Sequence, residues 1–217
     1  MSYEPLPLTP ELHEYLLKHS TPPDDIVADL IAETRQALAG RSSMQVGFEQ
    51  AAFLRLLTTV TGVRRAVEVG TFTGLSSLSI ARGLAEGGRL TCFDISTEFT
   101  DVARRYWKRA GVEDRIELRI GAAADNLRGL PEEPHLDLVF IDADKESYRV
   151  YWDELIPRTK SGGLILVDNT LWSGRVVNPR SESDRAVADF NELAVADKRV
   201  ELVILPIADG LTMARKL

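Results

Sequence analysis

Apolar positions along this chain change period repeatedly, and each change marks an element. Residues 1–9, with Pro5 and Pro7, read as an extended arm. Thr9-Pro10-Glu11 has the form of an N-cap with proline in the first turn, and Leu12, Tyr15, Leu16 and Leu17 follow at helical spacing. Pro22 and Pro23 end that helix. Asp24 opens a second, carrying Ile26, Val27, Leu30, Ile31, Thr34 and Leu38, and Gly40 stops it. A third runs from about Gln45 through Phe48, Ala51, Ala52, Leu54, Leu56 and Leu57 to Gly62.

From residue 64 strands and helices alternate. Strands are predicted at 64–69, 89–94, 115–121, 136–142, 164–168, 199–206 and 210–216. The fifth follows a Gly162-Gly163 turn and the last an Asp-Gly turn. Helices are predicted at 75–85, 98–110, 122–129, 146–159 and 182–195, with a loop at 169–181. The runs LVFI and LILV are continuously apolar, as in strands buried on both faces. The expected fold class is α/β: one domain over 1–217, with an N-terminal helical extension at 1–62 and a core at 63–217. The core should hold a seven-stranded, mostly parallel sheet with helices on both faces.

Composition narrows the partners. A net charge of −7 weighs against a nucleic-acid backbone or an anionic membrane as main partner. Cys92 is the only cysteine, so no intrachain disulfide forms; between Leu90 and Phe93 it reads as a core residue. No apolar run is long enough to span a membrane. The N-terminal stretch MSYEPLPLTPEL lacks the pattern of a secretory signal, so a cytoplasmic location is expected.

The acids carry the functional signal. Glu68, Asp94, Asp142 and Asp168 each fall at the carboxyl end of a predicted strand, where open α/β sheets bind ligands. Acids are also common helix caps in such loops, but Glu68 sits inside an apolar strand. After Glu68 the chain reads Val-Gly70-Thr-Phe-Thr-Gly74, a turn that brings backbone and a helix N-terminus close to a ligand. Its spacing is not that of a pyrophosphate loop. With Asp94 placed to accept from ribose hydroxyls, it suits a nucleoside without phosphates. Asp142, Asp168 and Asn169 carry hard oxygen donors suited to Mg²⁺, with Mn²⁺ or Ca²⁺ as alternatives. No Cys/His cluster competes, since His13, His19 and His135 are scattered. Lys145 admits two readings: a general base beside a cation, or a solvated lysine paired with Asp144 or Glu146.

At these residues the sequence resembles a known family. AVEVGTFTGLSSLSIARGL, the acid of CFDIS, GAAADNL, LVFIDADKESYRVYW and GGLILVDNTLWSG together resemble the class I S-adenosylmethionine-dependent O-methyltransferases. The closer resemblance is to the cation-dependent caffeoyl-CoA and catechol group, from about Ser43 to the C-terminus. It implies a Rossmann-like methyltransferase fold and a methyl transfer to a small catechol-like aromatic. It implies cofactor contacts from Val46, Glu68, Gly70, Thr71, Ser76, Asp94, Ala123, Asp142 and Asp144. It implies metal ligation by Asp142, Asp168 and Asn169, and catalysis by Lys145 as base together with Asp142. Asp142, Trp172 and Ser173 match substrate-facing positions, although Trp172 also suits plain packing. Arg175 fits either an acidic substrate group or a solvated loop arginine. The plant pattern for coenzyme A recognition is not evident in residues 1–40. A homodimer is expected from the resemblance alone. The alternatives are an enzyme acting on a hydroxylated tRNA base, through basic residues such as Arg64, Arg65, Arg104, Arg105 and Lys108, and a non-catalytic cofactor-binding scaffold. A dinucleotide dehydrogenase would need the missing pyrophosphate loop.

Overall fold

A computed structural model describes residues 6–217; residues 1–5 of the expected arm lie outside the described residues. The apolar runs form seven strands: β1 (Arg65–Val69), β2 (Arg89–Asp94), β3 (Ile116–Ile120), β4 (Leu136–Ile141), β5 (Thr159–Val167), β6 (Val200–Leu205) and β7 (Leu211–Lys216). They make one sheet in the order β3-β2-β1-β4-β5-β7-β6. The first five strands run parallel, and β7 lies antiparallel to both of its neighbours. This is the seven-stranded, mostly parallel sheet that the alternation predicts, and the Rossmann-like methyltransferase fold that the resemblance implies. The order reverses between β1 and β4, so their carboxyl ends flank the crevice where such sheets bind ligands.

The α-helices, in chain order, are α1 (Pro10–Lys18), α2 (Asp25–Ala37), α3 (Phe48–Thr61), α4 (Leu75–Gly83), α5 (Thr97–Arg109), α6 (Ala123–Arg128), α7 (Tyr148–Arg158) and α8 (Glu182–Ala196). One face of the sheet packs Leu90, Leu138 and Phe140 against Leu30 of α2, Leu54 of α3, Leu78 of α4 and Trp107 of α5. The other packs Val67, Phe93, Val139 and Ile165 against Leu127 of α6, Trp152 of α7 and Phe190 of α8. Leu138, Val139, Phe140 and Ile141 are all fully buried, which explains why β4 shows no polar alternation.

The N-terminal helices are integral to this packing. Leu30 and Leu54 are fully buried, and each such side chain contributes about 1.5–3 kcal/mol. The ion pairs Arg105–Glu33 and Arg109–Asp29 join α5 to α2 at the surface. At that exposure each is worth at most about 1 kcal/mol, so apolar contact does the fastening. A polar link adds position: Thr34 donates to Thr73 Oγ1 at 2.9 Å, and Gln45 Nε2 donates to both, at 3.0 and 3.1 Å. It ties α2 and the segment before α3 to the glycine turn.

Element ends differ from the expectation in three informative places. The fifth strand begins at Thr159 instead of 164, because Thr159 already pairs with Leu136. Gly162, at φ 83°, lets the chain bulge there without leaving the sheet. The helix expected at 146–159 is a 3₁₀ turn, Lys145–Ser147, followed by α7. The loop at 169–181 contains a 3₁₀ stretch, Trp172–Val177, interrupted by left-handed Ser173 and Gly174. Among the described residues no helix is long and apolar enough to cross a membrane.

Candidate active site

A cavity of about 1170 Å³ opens at the carboxyl edge of β1 and β4. Its first half is the glycine turn. Gly70 has φ 90°, and a Cβ there would lie 1.9 Å from the Asp142 carbonyl oxygen. Only glycine lets the turns after β1 and β4 approach so closely. Asp94 shapes the rest: its Oδ2 accepts from Thr71 N at 2.9 Å and Phe72 N at 2.8 Å, and its Oδ1 from Ser96 N at 2.8 Å. Those bonds hold Phe72 at φ 50°. Gly74 then starts α4 with no side-chain cap, and Gly74, Leu75 and Ser76 line the cavity. An uncapped helix N-terminus facing a cavity favours an anionic group. Ile95, Gly121, Ala123 and Ala143 give this half apolar or small walls.

Glu68 lies beneath this half, fully buried and outside the lining. Its register opposite Cys92 and Phe140 turns it to the α4 side of the sheet. Burial pushes its carboxyl up to about 8; Ser76, Cys92 and Thr71 temper the shift and Asp142 adds to it. Among the described residues neither oxygen has a partner at hydrogen-bond geometry. The unfolded chain ionises from about pH 4.5, whereas the folded one keeps the proton to about pH 8, so stability falls between them as pH rises. The cost at full ionisation is on the order of 5 kcal/mol. Glu68→Gln should therefore melt higher than wild type at pH 8, with the gap closing by about pH 5. A gap that does not change with pH would show an ordinary carboxyl.

The second half gathers around β4 and β5. Lys145 Nζ donates to Asp142 Oδ1 at 3.1 Å and to Tyr148 Oη at 2.6 Å. Tyr148 is fully buried and donates in turn to the Asp168 carbonyl at 3.0 Å. The lysine is thus fixed from two sides, and the solvated reading does not apply. Asp144 is not its partner; Asp144 Oδ1 accepts from Tyr151 Oη at 2.6 Å. Burial and the facing Asp142 carboxylate push Asp168 up, against the bond it accepts from Asn169 N at 2.7 Å. Asn169 holds a left-handed φ of 55°, which sets its amide at the cavity wall.

The loop beyond is built around Asp184, which sequence reasoning missed. Its Oδ2 accepts from Arg180 N and Ser181 N, both at 3.0 Å. Its Oδ1 accepts from Trp172 Nε1 at 3.1 Å and Arg175 Nε at 3.0 Å. These bonds hold the carboxyl well below its usual range, the backbone N–H groups of Ser181 and Arg180 foremost. Ser181-x-x-Asp184 was legible as a helix start, and it is a capping box. Nothing local in sequence showed that the same acid fastens Trp172. Gln50 of α3 was missed too: it lines the cavity, nearly fully buried, and its Nε2 has no partner among the described residues.

Val46, Gly70, Thr71, Ser76, Asp94, Ala123, Asp142, Asp144, Lys145, Asp168, Asn169, Trp172 and Ser173 all meet in this one cavity, so of the expected site residues only Glu68 stands behind it. No group of three His, Cys, Asp or Glu residues suited to a metal ion occurs among the described residues. The donor set at hand is two carboxylates and a neutral amide, a chemistry that fits a hard, oxygen-seeking cation.

Residues 17–217 match the model of a family described as O-methyltransferase. The chain belongs to the O-methyltransferase family. These enzymes use S-adenosylmethionine. This O-methyltransferase is 38% identical over 209 residues to the Dictyostelium discoideum protein named "Probable caffeoyl-CoA O-methyltransferase 2", covering 94% of this chain and 90% of that one. It is 33% identical over 219 residues to the caffeoyl-CoA O-methyltransferase of Eucalyptus gunnii, covering 95% and 87%. Among solved structures it resembles the O-methyltransferase from Bacillus cereus in complex with SAH, with TM-score 0.86 and 31% identity over 95% of this chain and 97% of that one.

Proposed function

We infer that this O-methyltransferase moves a methyl group from S-adenosylmethionine to one hydroxyl of a small vicinal-dihydroxy aromatic. The carrying observation is Lys145 Nζ, held by Asp142 and Tyr148 in the same cavity as the Asp94-bound glycine turn. S-adenosylmethionine supplies the methyl as a sulfonium cation. The uncapped start of α4 at Ser76 suits its carboxylate, Asp94 its ribose hydroxyls and Ala123 its base; the SAH named with the Bacillus cereus structure supports this reading. Gly70, Thr71, Val46 and Asp144 border the same space. Glu68 supports the turn from below.

In the cavity's second half, Asp142, Asp168 and Asn169 would hold a divalent cation, Mg²⁺ before Mn²⁺ or Ca²⁺. Such a cation acts as a Lewis acid that makes an adjacent hydroxyl more acidic. As the neutral amine, Lys145 takes the acceptor proton at Nζ and becomes the ammonium, and Tyr148 keeps that nitrogen aimed at the cavity. Trp172 offers a flat apolar wall and Ser173 a hydroxyl beside it. The chain's main contribution is to place two reactants in line before they react.

Chelation tests the reading. With EDTA, catechol methylation should fall at least about tenfold and return with added Mg²⁺. Turnover that persists under chelation overturns the cation's role. A nucleic-acid acceptor is less well supported, because Arg105 of the basic group is spent on Glu33. The coenzyme A thioester in the relatives' names is likewise not carried over.

A further inference from the structure

Arg175 is not a free loop arginine. Its Nε donates to Asp184 Oδ1 at 3.0 Å, and its guanidinium carbon lies 4.8 Å from the centre of the Trp172 ring. Trp172 is fixed by the same carboxylate. Asp184 is itself nearly fully buried and pinned by two backbone N–H groups. Ordering a long arginine normally costs side-chain entropy on binding; here folding has already ordered it. Among the described residues the two terminal nitrogens have no hydrogen-bond or ion-pair partner, and the side chain, half exposed, lines the cavity. A guanidinium with its Nε anchored still presents a planar fork that matches a carboxylate.

One indole ring is near two cations, which sets a length scale. Lys145 Nζ lies 5.6 Å from the centre of the same Trp172 ring. The lysine and the guanidinium are therefore no farther apart than the sum of those two distances. A gap within that bound admits one aromatic ring with a short acid side chain. Among the described residues lining the cavity the only other cation is Arg41, which sits by Phe99 on the Asp94 side, 5.4 Å from that ring. Glu146, bonded by Ser183, and Asp209, bonded by Ser173 N, line the same cavity, so an acid binds only where the guanidinium outweighs them.

We propose that Arg175 reads a carboxylate on the acceptor, so that the enzyme favours dihydroxy-aromatic acids over neutral catechols. The inference rests on the proposed function, which puts the acceptor hydroxyls at Lys145. Calorimetric titration of the full chain with S-adenosylhomocysteine and Mg²⁺ tests it, with protocatechuate as the acid and catechol as its neutral parent. Protocatechuate should bind about tenfold more tightly than catechol. Arg175→Ala should cost the acid about tenfold more affinity than it costs catechol. Arg175→Lys keeps the charge without the fork and should retain part of the preference. The lysine variant also serves if the alanine variant folds poorly. Equal affinities in wild type, or a preference unmoved by both variants, overturn the inference and leave a loop arginine stacked on an indole. The readout is binding, so a measured acid preference without any methyl transfer would refute the proposed function and leave the acid site standing.

Discussion

Lys145→Ala is expected to lower kcat on catechol by about 100- to 10,000-fold, the usual loss for a general base. Binding of S-adenosylhomocysteine should stay near normal, since the lysine's bonds go to Asp142 and Tyr148, while the turn is held by Asp94. The informative companion is Lys145→Arg. A guanidinium can still pair with Asp142, but it cannot give up its proton and so cannot accept one. Both variants should be equally poor if proton transfer is the role. An arginine variant with near wild-type turnover would reduce Lys145 to a fixed positive charge. Full activity in the alanine variant would remove it from the mechanism. Rates come from labelled methyl transfer, and cofactor affinity from calorimetry.

Gly70→Ala is expected to destabilise the fold by about 5 kcal/mol or more and to abolish activity in whatever protein remains folded. Two costs combine. An alanine at φ 90° carries backbone strain of about 1–3 kcal/mol. Its Cβ would also stand 1.9 Å from the Asp142 carbonyl oxygen, far inside any contact distance. The clash is with backbone, so no side chain can swing away. Relief requires the turns after β1 and β4 to separate, and that pulls Asp142 from the glycine turn. Thermal melting with and without S-adenosylhomocysteine measures both effects. A variant that melts like wild type would mean that this contact is looser than the geometry shows.

Much of this site could be read from the chain because its residues sit at strand ends. Strands buried on both faces are continuous apolar runs, so their last residues are easy to place. Asp94, Asp142 and Asp168 follow such runs directly, and the sheet order brings all three to one crevice. Glu68 was legible as an acid in an apolar strand. Its side was not, because a strand's alternation is set by pairing with Cys92 and Phe140, residues far along the chain. The helices before β1 were legible from their period. Their part in closing the cavity, through Gln45 and Gln50, depends on tertiary packing that period does not encode. Asp184 shows the same limit. Its local role in the capping box is written in Ser181-x-x-Asp184, whereas its hold on Trp172 and Arg175 requires a folded loop with left-handed residues at 172–174.

The contact between Gly70 and the Asp142 carbonyl has an evolutionary corollary. On the proposed function, donor and acceptor anchors are riveted at one backbone point, so the span the methyl group must cross is set by the sheet. The Trp172–Arg175 loop hangs elsewhere, on Asp184. Drift in that loop can therefore retarget the enzyme to new acceptors while the reaction distance stays the same, which lets a lineage change its chemistry's customer without rebuilding its machine.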